Sequence, residues 1–338
     1  MPEKNALRLV DLGLVQADVW HKAYQHLAES LPAEGNPILL CGRTPAHFCL
    51  GAHQGQSLEL APTCNIPVLQ RPLGGGGVWL DEQQLLLVLI LPHNWISGKR
   101  PTQWFDALLQ PMRKTYAHFG IAAERVVHDL WFQGKKLAGS GAASMGRAGL
   151  VASSFLFRFP AEHFAACIAA PSAGFRQWLG EALGEAVTDW HSIAPVPAQC
   201  ELMQQLQREL KTHLGCAITH SVLTAAEQTA IAAYQPDENE IYPARQRLVP
   251  HGIKLNARRF LTERHYVTAH GDDWVRAQTR GDKLERLALS LSLGETVLTE
   301  LLQCTPDTTS LTAVLQSHTD EAGLWAERIV QTAHFEND

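Results

Sequence analysis

Gln70-Arg71-Pro72-Leu73-Gly74-Gly75-Gly76-Gly77-Val78-Trp79 is the stretch on which the reading of this 338-residue chain turns. It joins two strand-like runs, Val68 to Gln70 and Gly77 to Leu80. Four glycines in a row carry an entropic cost on folding. They make sense where backbone must approach a ligand closely or where positive φ is required. Successive free N–H groups in such a loop form an anion-binding nest, and Arg71 just before it suits a phosphate or a carboxylate. The plain alternative is a flexible hairpin loop. The stretch is not a dinucleotide fingerprint, which needs G-x-G-x-x-G spacing and a following helix. Nor is it a Walker loop, because no Gly-Lys-Ser/Thr follows.

The second informative stretch is His128-Asp129-Leu130-Trp131-Phe132-Gln133-Gly134-Lys135-Lys136-Leu137-Ala138-Gly139-Ser140. Asp129 to Phe132 and Lys136 to Ala138 flank a polar turn and read as a hairpin. Strand alternation puts Lys136 and Ala138 on one face and Lys135 and Leu137 on the other. One lysine then points toward a ligand while its neighbour faces water. Two solvated lysines at a hairpin tip are the ordinary alternative. The small-residue run from Ala138 to Ala143 leaves room for a substrate chain.

Around these two stretches the pattern is mixed. Leu14 to Leu31 has apolar residues at helical spacing and stops before Pro32. Ile38 to Cys41 and His47 to Leu50 read as strands. Leu85 to Leu91 is a continuous apolar run of strand length, the signature of a buried sheet strand. Pro101 to Phe119 reads as helix with a kink or split at Pro111, and Ser154 to Phe159 as another strand. After Pro195 and Pro197 come helices over Ala198 to Leu214 and Thr224 to Tyr234, the latter with a Thr224/Glu227 capping box. Strands and helices alternate too irregularly for a doubly wound sheet, so the expectation is an α+β fold. The polar, turn-rich Gln235 to Glu240 suggests a boundary and hinge, giving domains 1–245 and 246–338. The second holds short strands (Tyr266 to Ala269, Trp274 to Gln278) and helices (Glu295 to Gln303, Leu311 to Gln316) and reads as a small α+β appendage.

Composition narrows the function classes. A net charge of -6 and 18% charged residues argue against a nucleic-acid partner. No apolar run reaches membrane-spanning length, and Met1 to Leu14 lacks the pattern of a signal peptide. The seven cysteines are scattered without C-x-x-C, which predicts reduced thiols in a cytoplasm.

The two stretches together resemble the lipoate–protein ligases, within the biotin/lipoate ligase and acyltransferase superfamily. The family pattern Arg-Arg-x-Ser-Gly-Gly-Gly-x-Val-x-His-Asp is met by Gln70 to Asp81. The pattern Asn-Asp-Leu…Lys-x-x-Gly-Ser-Ala is met by His128 to Gly141. Arg43, Gly51 and Gln54 stand where the family has Arg, Gly and Gln, and Leu202 to Tyr234 resembles the segment closing its large domain. There are departures. The family's His before Asp81 is Leu80, its His-His-Gly is Val151-Ala152-Ser153, and its Asn before Asp129 is His128.

The resemblance implies a mixed-sheet ligase-like catalytic domain with a small accessory domain. It implies ATP-dependent activation of lipoate, or a similar medium-chain acid, to an acyl-adenylate, then transfer to a lysine of an apo lipoyl-domain acceptor such as an E2 subunit or a glycine-cleavage H-protein. It assigns Lys136 as the charge-stabilising catalytic group. Arg71, Gly74, Gly75, Gly76, Gly77, Val78, Trp79 and Lys136 are assigned to ATP, and Arg71, Val78, Trp79, Lys136 and Leu137 to lipoate. Asp81 and Asp129 are candidates near a magnesium ion carried by the nucleotide. No nucleic-acid or membrane partner is expected, and the chain is expected to be a monomer or weak oligomer. Three other readings stay open: a thioester octanoyltransferase using Cys167 (another subclass's cysteine position is Ile121 here), a serine hydrolase at Ser144, and an inactive binding protein on the same fold.

Overall fold

The structure is a computed structural model and describes residues 6–236, 246–256, 258–269, 271–333 and 335. Contacts divide the chain into two units. The described part of the first comprises 6–56, 65–160 and 187–236; that of the second comprises 57–64, 161–186 and the residues after 245. The C-terminal unit thus recruits two segments from within the span expected to be one domain. The expected junction at 245/246 borders residues 237–245, and most of the expected hinge falls among them, outside the described residues.

The strands of the first unit are β1 (Ala6–Leu14), β2 (Ile38–Arg43), β3 (His47–Leu50), β4 (Val68–Gln70), β5 (Val78–Leu80), β6 (Gln84–Leu91), β7 (Glu124–Val126), β8 (Asp129–Phe132), β9 (Lys135–Ala138), β10 (Ser140–Met145), β11 (Ala148–Leu156) and β12 (Ala217–Ser221). Six of them form a mixed sheet in the order β10-β11-β6-β2-β1-β12. β1 runs parallel to both β2 and β12, while the remaining pairs are antiparallel. The period-2 rule assigns the two faces. Leu85, Leu87, Leu89 and Leu91 of β6 enter one apolar cluster with Leu108, Met112, Leu206 and Leu210 of two helices. Leu86, Val88 and Ile90 enter the other, with Trp20, Tyr24 and Leu27 of the helix Ala17–Ser30. A strand covered on both faces has no polar face to show, which is why β6 reads as an unbroken apolar run.

Two small three-stranded sheets complete this unit, β4-β3-β5 and β7-β8-β9. The first carries the glycine loop between β4 and β5, and the second carries the lysine hairpin. The helical stretch expected over Pro101 to Phe119 is split, but at Phe105. Pro111 lies inside the helix Asp106–His118, and its carbonyl accepts a hydrogen bond from Thr115 Oγ1 at 2.8 Å. The strand expected at Ser154 to Phe159 is instead β11, six residues earlier at its start.

The second unit contains an antiparallel sheet of β13 (Gly252–Lys254), β14 (Arg259–Thr268), β15 (Gly271–Arg280) and β16 (Lys283–Leu289). Val275, Ala277 and Leu287 pack with Leu301, Leu311, Trp325 and Ile329 from its three C-terminal helices. Glu263 is buried on β14, where Arg276 and Ser172 both donate hydrogen bonds to its Oε2. No helix among the described residues is long and apolar enough to cross a membrane.

Candidate functional site

Arg71 organises the glycine loop. One guanidinium nitrogen donates to the Cys49 carbonyl at 2.9 Å, and the other donates to the carbonyls of Gly74 and Gly76 at 3.0 and 2.8 Å. The loop carbonyls are thereby gathered around one cation, and Arg71 acts first as a brace of the loop. Leu73 anchors its start, being 3% exposed within the helix-covered apolar cluster, and its carbonyl accepts from Ala52 N–H.

The four glycines divide by what demands them. Gly75 has φ +90°, and a Cβ at Gly77 would lie 2.4 Å from the Phe48 ring. These two are required by the chain's own packing. A Cβ at Gly74 or Gly76 would meet nothing within 4 Å. These positions face open space, as backbone that receives a ligand must. Gly51 closes the loop from below, because a Cβ there would fall 2.2 Å from the Gly75 carbonyl oxygen. Gln54 accepts from Gly51 N–H, and Gln70 donates to the Gln54 carbonyl at 2.8 Å.

On the lysine hairpin, a β-bulge between β8 and β9 skips Leu137, so that Leu130 faces Ala138 while Trp131 faces Lys136. Strict alternation therefore fails here. Leu137 and Ala138 both enter the core cluster, while Lys136 is left on the opposite face with Asp129 and Trp131. Lys135 is exposed and Lys136 half-buried, so the two lysines differ in burial as expected, by a different geometry. Lys136 Nζ lies 2.8 Å from Asp129 Oδ2, and Asp129 Oδ1 accepts from Ser140 N–H at 3.0 Å. The lysine chain crosses directly over Gly139, where a Cβ would stand 3.1 Å from Nζ. Leu137, expected along a lipoate tunnel, is fully buried in the core and offers no surface to a ligand. Val78 is exposed and Trp79 half-buried at the loop's far end.

Loop and hairpin meet at Gly141, which follows the hairpin on β10. A Cβ at Gly141 would lie 3.2 Å from Leu73 Cδ2. The glycine loop and the strand entered from Lys136 are thus in direct contact.

Sequence reading missed a buried polar chain beside the loop. The Tyr24 hydroxyl is 3.0 Å from His21 Nδ1, His21 Nε2 is 3.2 Å from His47 Nε2, and His47 Nδ1 is 3.0 Å from the Pro45 carbonyl. A carbonyl only accepts, so His47 donates from Nδ1, His21 donates to His47, and Tyr24 donates to His21. Both rings are neutral. Burial, then the neighbouring His47 and Arg71, pushes His21 down to about 3, and burial also lowers His47. The only sequence signal was two histidines within otherwise apolar patterns.

The acidic candidates are engaged by protein donors. Asp81 accepts from Trp79 Nε1 at 2.7 Å and Gln83 N–H at 2.8 Å, making a turn after β5. Asp129 is bound as described above. Among the described residues no group of three His, Cys, Asp or Glu is placed to hold a metal by itself. The cysteines are all free. Cys167 is buried in the C-terminal unit, and burial with the adjacent Cys64 thiol pushes it up to about 12, which disfavours the thiolate that nucleophilic chemistry needs. Ile121 is a core residue. Ser144 lies within β10, which turns back into β11, so no strand-to-helix elbow presents it.

Residues 21–211 match the family described as the lipoyl protein ligase A/B catalytic domain. No curated protein matches the sequence. Among solved structures, the chain is similar to a bipartite lipoate protein ligase from Thermoplasma acidophilum, studied with its E2 lipoyl domain, at TM-score 0.61 and 19% identity over 73% of this chain and 99% of that one. A lipoate-protein ligase A bound with ATP superposes at TM-score 0.56 and 19% identity, covering 70% and 98%. LipL1 of P. falciparum in complex with lipoate does so at TM-score 0.54 and 11% identity, covering 96% and 98%. At these identities the likeness is one of fold.

Proposed function

The chain belongs to the lipoyl protein ligase A/B catalytic domain family, and from that premise we propose that it activates lipoate, or a similar medium-chain acid, with ATP and passes the acyl group to a lysine of an acceptor lipoyl domain. The observation that supports this reading is that an arginine-braced glycine loop packs, through Leu73, on Gly141 of the strand that follows a hairpin whose Lys136 is paired with Asp129.

In the first half-reaction the acid's carboxylate oxygen attacks the α-phosphorus and pyrophosphate leaves, giving the acyl-adenylate. Negative charge accumulates on the phosphoryl oxygens, and preorganised positive ends stabilise it best. Lys136 supplies one such end, held in place by Asp129. The backbone at Gly74 and Gly76 supplies N–H groups with open approach. Arg71 keeps the loop in shape for that task, and Val78 and Trp79 flank the bound acid and nucleotide. A magnesium ion brought with the nucleotide would offset part of its phosphate charge. In the second half-reaction the acceptor's lysine amine attacks the acyl carbonyl and AMP leaves. The acceptor in this reading is an E2 subunit or an H-protein, and the seven free cysteines suit a cytoplasmic setting.

The test is direct. Purified protein is mixed with ATP, magnesium and lipoic acid without acceptor, and lipoyl-AMP is sought by mass spectrometry, with octanoic acid alongside. We expect an adenylate peak. Its absence with both acids would sink the reading. Cys167 chemistry has no support from the geometry, since that thiol is buried and protonated at neutral pH.

A further inference from the structure

The hairpin face that presents Lys136 also holds a donor with nothing to bind. Trp131 stands directly across from Lys136 in the β8–β9 pairing. Directly opposed residues share a face, with Cβ atoms about 5 Å apart. Asp129, two residues before Trp131 on the same strand, is on that face too, as its ion pair with Lys136 Nζ confirms. Leu130 and Phe132 point the other way and pack with the core cluster. Trp131 is only 9% exposed, and its indole Nε1 is buried without a hydrogen-bond partner.

A buried N–H left unpaired is costly, by about 1–3 kcal/mol, and such groups are uncommon in folded chains. An indole can only donate, so the missing partner is an acceptor. Position narrows its kind. The donor belongs to the residue directly across the strands from Lys136, so an anionic oxygen held by that ammonium is the acceptor whose chemistry fits.

We infer that the Trp131 indole N–H is a substrate-binding donor, hydrogen-bonding an anionic oxygen of the substrate group that Lys136 holds. This rests on the assignment of Lys136 to the substrate site. Both nucleotide phosphate and acid carboxylate offer such an oxygen, and the experiment separates them. Trp131 lies within the second sequence stretch but at a position that the family pattern leaves unspecified. A tryptophan in a strand reads as core, and only its unpaired nitrogen across from Lys136 distinguishes it.

The experiment replaces Trp131 in the full chain with β-(3-benzothienyl)alanine, which keeps the bicyclic shape and lacks the N–H. Trp131→Phe is made in parallel. Binding of ATP alone and of lipoate alone is measured by calorimetry, and the thermal midpoint of the free protein is recorded. The expected result is an affinity about 10- to 100-fold weaker for one of the two ligands, the worth of one hydrogen bond to a charged acceptor. The free isosteric variant should melt no lower than wild type, because the removed N–H makes no bond in the free protein. The weakened ligand identifies the oxygen. Wild-type affinity for both ligands in the isosteric variant would overturn the inference alone. A lowered midpoint with unchanged affinities would assign Trp131 to packing and overturn it equally. If the unmodified protein bound neither ligand, the reading of the site would fall with it.

Discussion

Arg71 gives the sharpest test of how the loop works. The resemblance assigned it to ligand, whereas the structure spends its guanidinium on three protein carbonyls. Replacing it with alanine removes all three bonds. Gly74 and Gly76 are exposed, so their carbonyls regain water and little is lost there. The Cys49 carbonyl belongs to a buried residue, and an acceptor stranded there costs about 1–3 kcal/mol. Taking about 2 kcal/mol, the midpoint should fall by about 4–8 °C for a unit of this size. The larger effect should be on order. Without the guanidinium, Gly74 to Gly77 have few constraints beyond the φ of Gly75 and the contact of Gly77 with Phe48. Their amides should lose hydrogen-exchange protection, and adenylate formation should fall with them. Arg71→Lys, which keeps the charge but not the fork, should recover only part of the stability and of the rate. A variant Arg71→Ala that melts at the wild-type temperature with loop protection intact, yet forms no adenylate, would refute the brace and make Arg71 a direct ligand contact.

Lys136→Ala should fold with a near-native melt, because the ion pair it loses is partly exposed, and should lose adenylate formation by about 100- to 1000-fold; an unchanged single-turnover rate would remove Lys136 from the chemistry. Arg8 holds the Glu227 carboxyl down at about 2. A carboxyl depressed on folding contributes stability above its ordinary range near 4.5 and loses it as pH falls through about 2. Glu227→Gln should therefore flatten the acid limb of the stability curve between those values, and identical limbs in urea titrations at each pH would contradict this. Leu73→Ala should cost about 2–5 kcal/mol as a core truncation. Gly141→Ala, which crowds Leu73 in the native chain, should be better tolerated in that background, and strict additivity in the double variant would show that the two residues do not touch.

Much of the architecture was legible because period and length carry it. The run Leu85 to Leu91 announced a strand covered on both sides, and the Thr224/Glu227 capping box forms as the spacing indicates, with both reciprocal bonds present. The lysine hairpin was placed to within a residue. What failed did so for identifiable reasons. β1 was missed because its apolar side chains alternate among charged and polar ones in a short N-terminal stretch. β10 was missed because Gly141, Ala142 and Ala143 have no side-chain pattern to read, and their strand character comes from pairing with β11. The burial contrast between Lys135 and Lys136 was anticipated although the expected sharing of a face by Lys136 and Ala138 was wrong, because a bulge is a tertiary event with no signature in Lys-Leu-Ala. The Arg71 role could not be read, since a guanidinium's partners here are backbone carbonyls that any sequence supplies.

The departures from the family pattern gain meaning from their neighbours. Leu73 stands where the pattern has Ser, and Gly141 where it has Ala; the two touch, and a Cβ at 141 would crowd Leu73. The larger residue and the smaller one are therefore complementary in volume. His128, in place of Asn, stacks on Phe105 with ring centres 4.3 Å apart. Leu80, in place of His, is paired across the strands with His47, so an imidazole remains next to that position though bound into the buried chain with His21. Val151 is a core residue and Ala152 packs against the helix-covered cluster. Here the costly parts are kept: a positive-φ glycine under an arginine clamp, and a half-buried lysine tied to a carboxylate. Among the substitutions around them, Leu73 and Gly141 are packed on each other. That combination is what the proposed adenylating site requires. It also places the alteration on the Leu73, Leu80 and Ala152 side, where a change in the acid accepted is to be sought first.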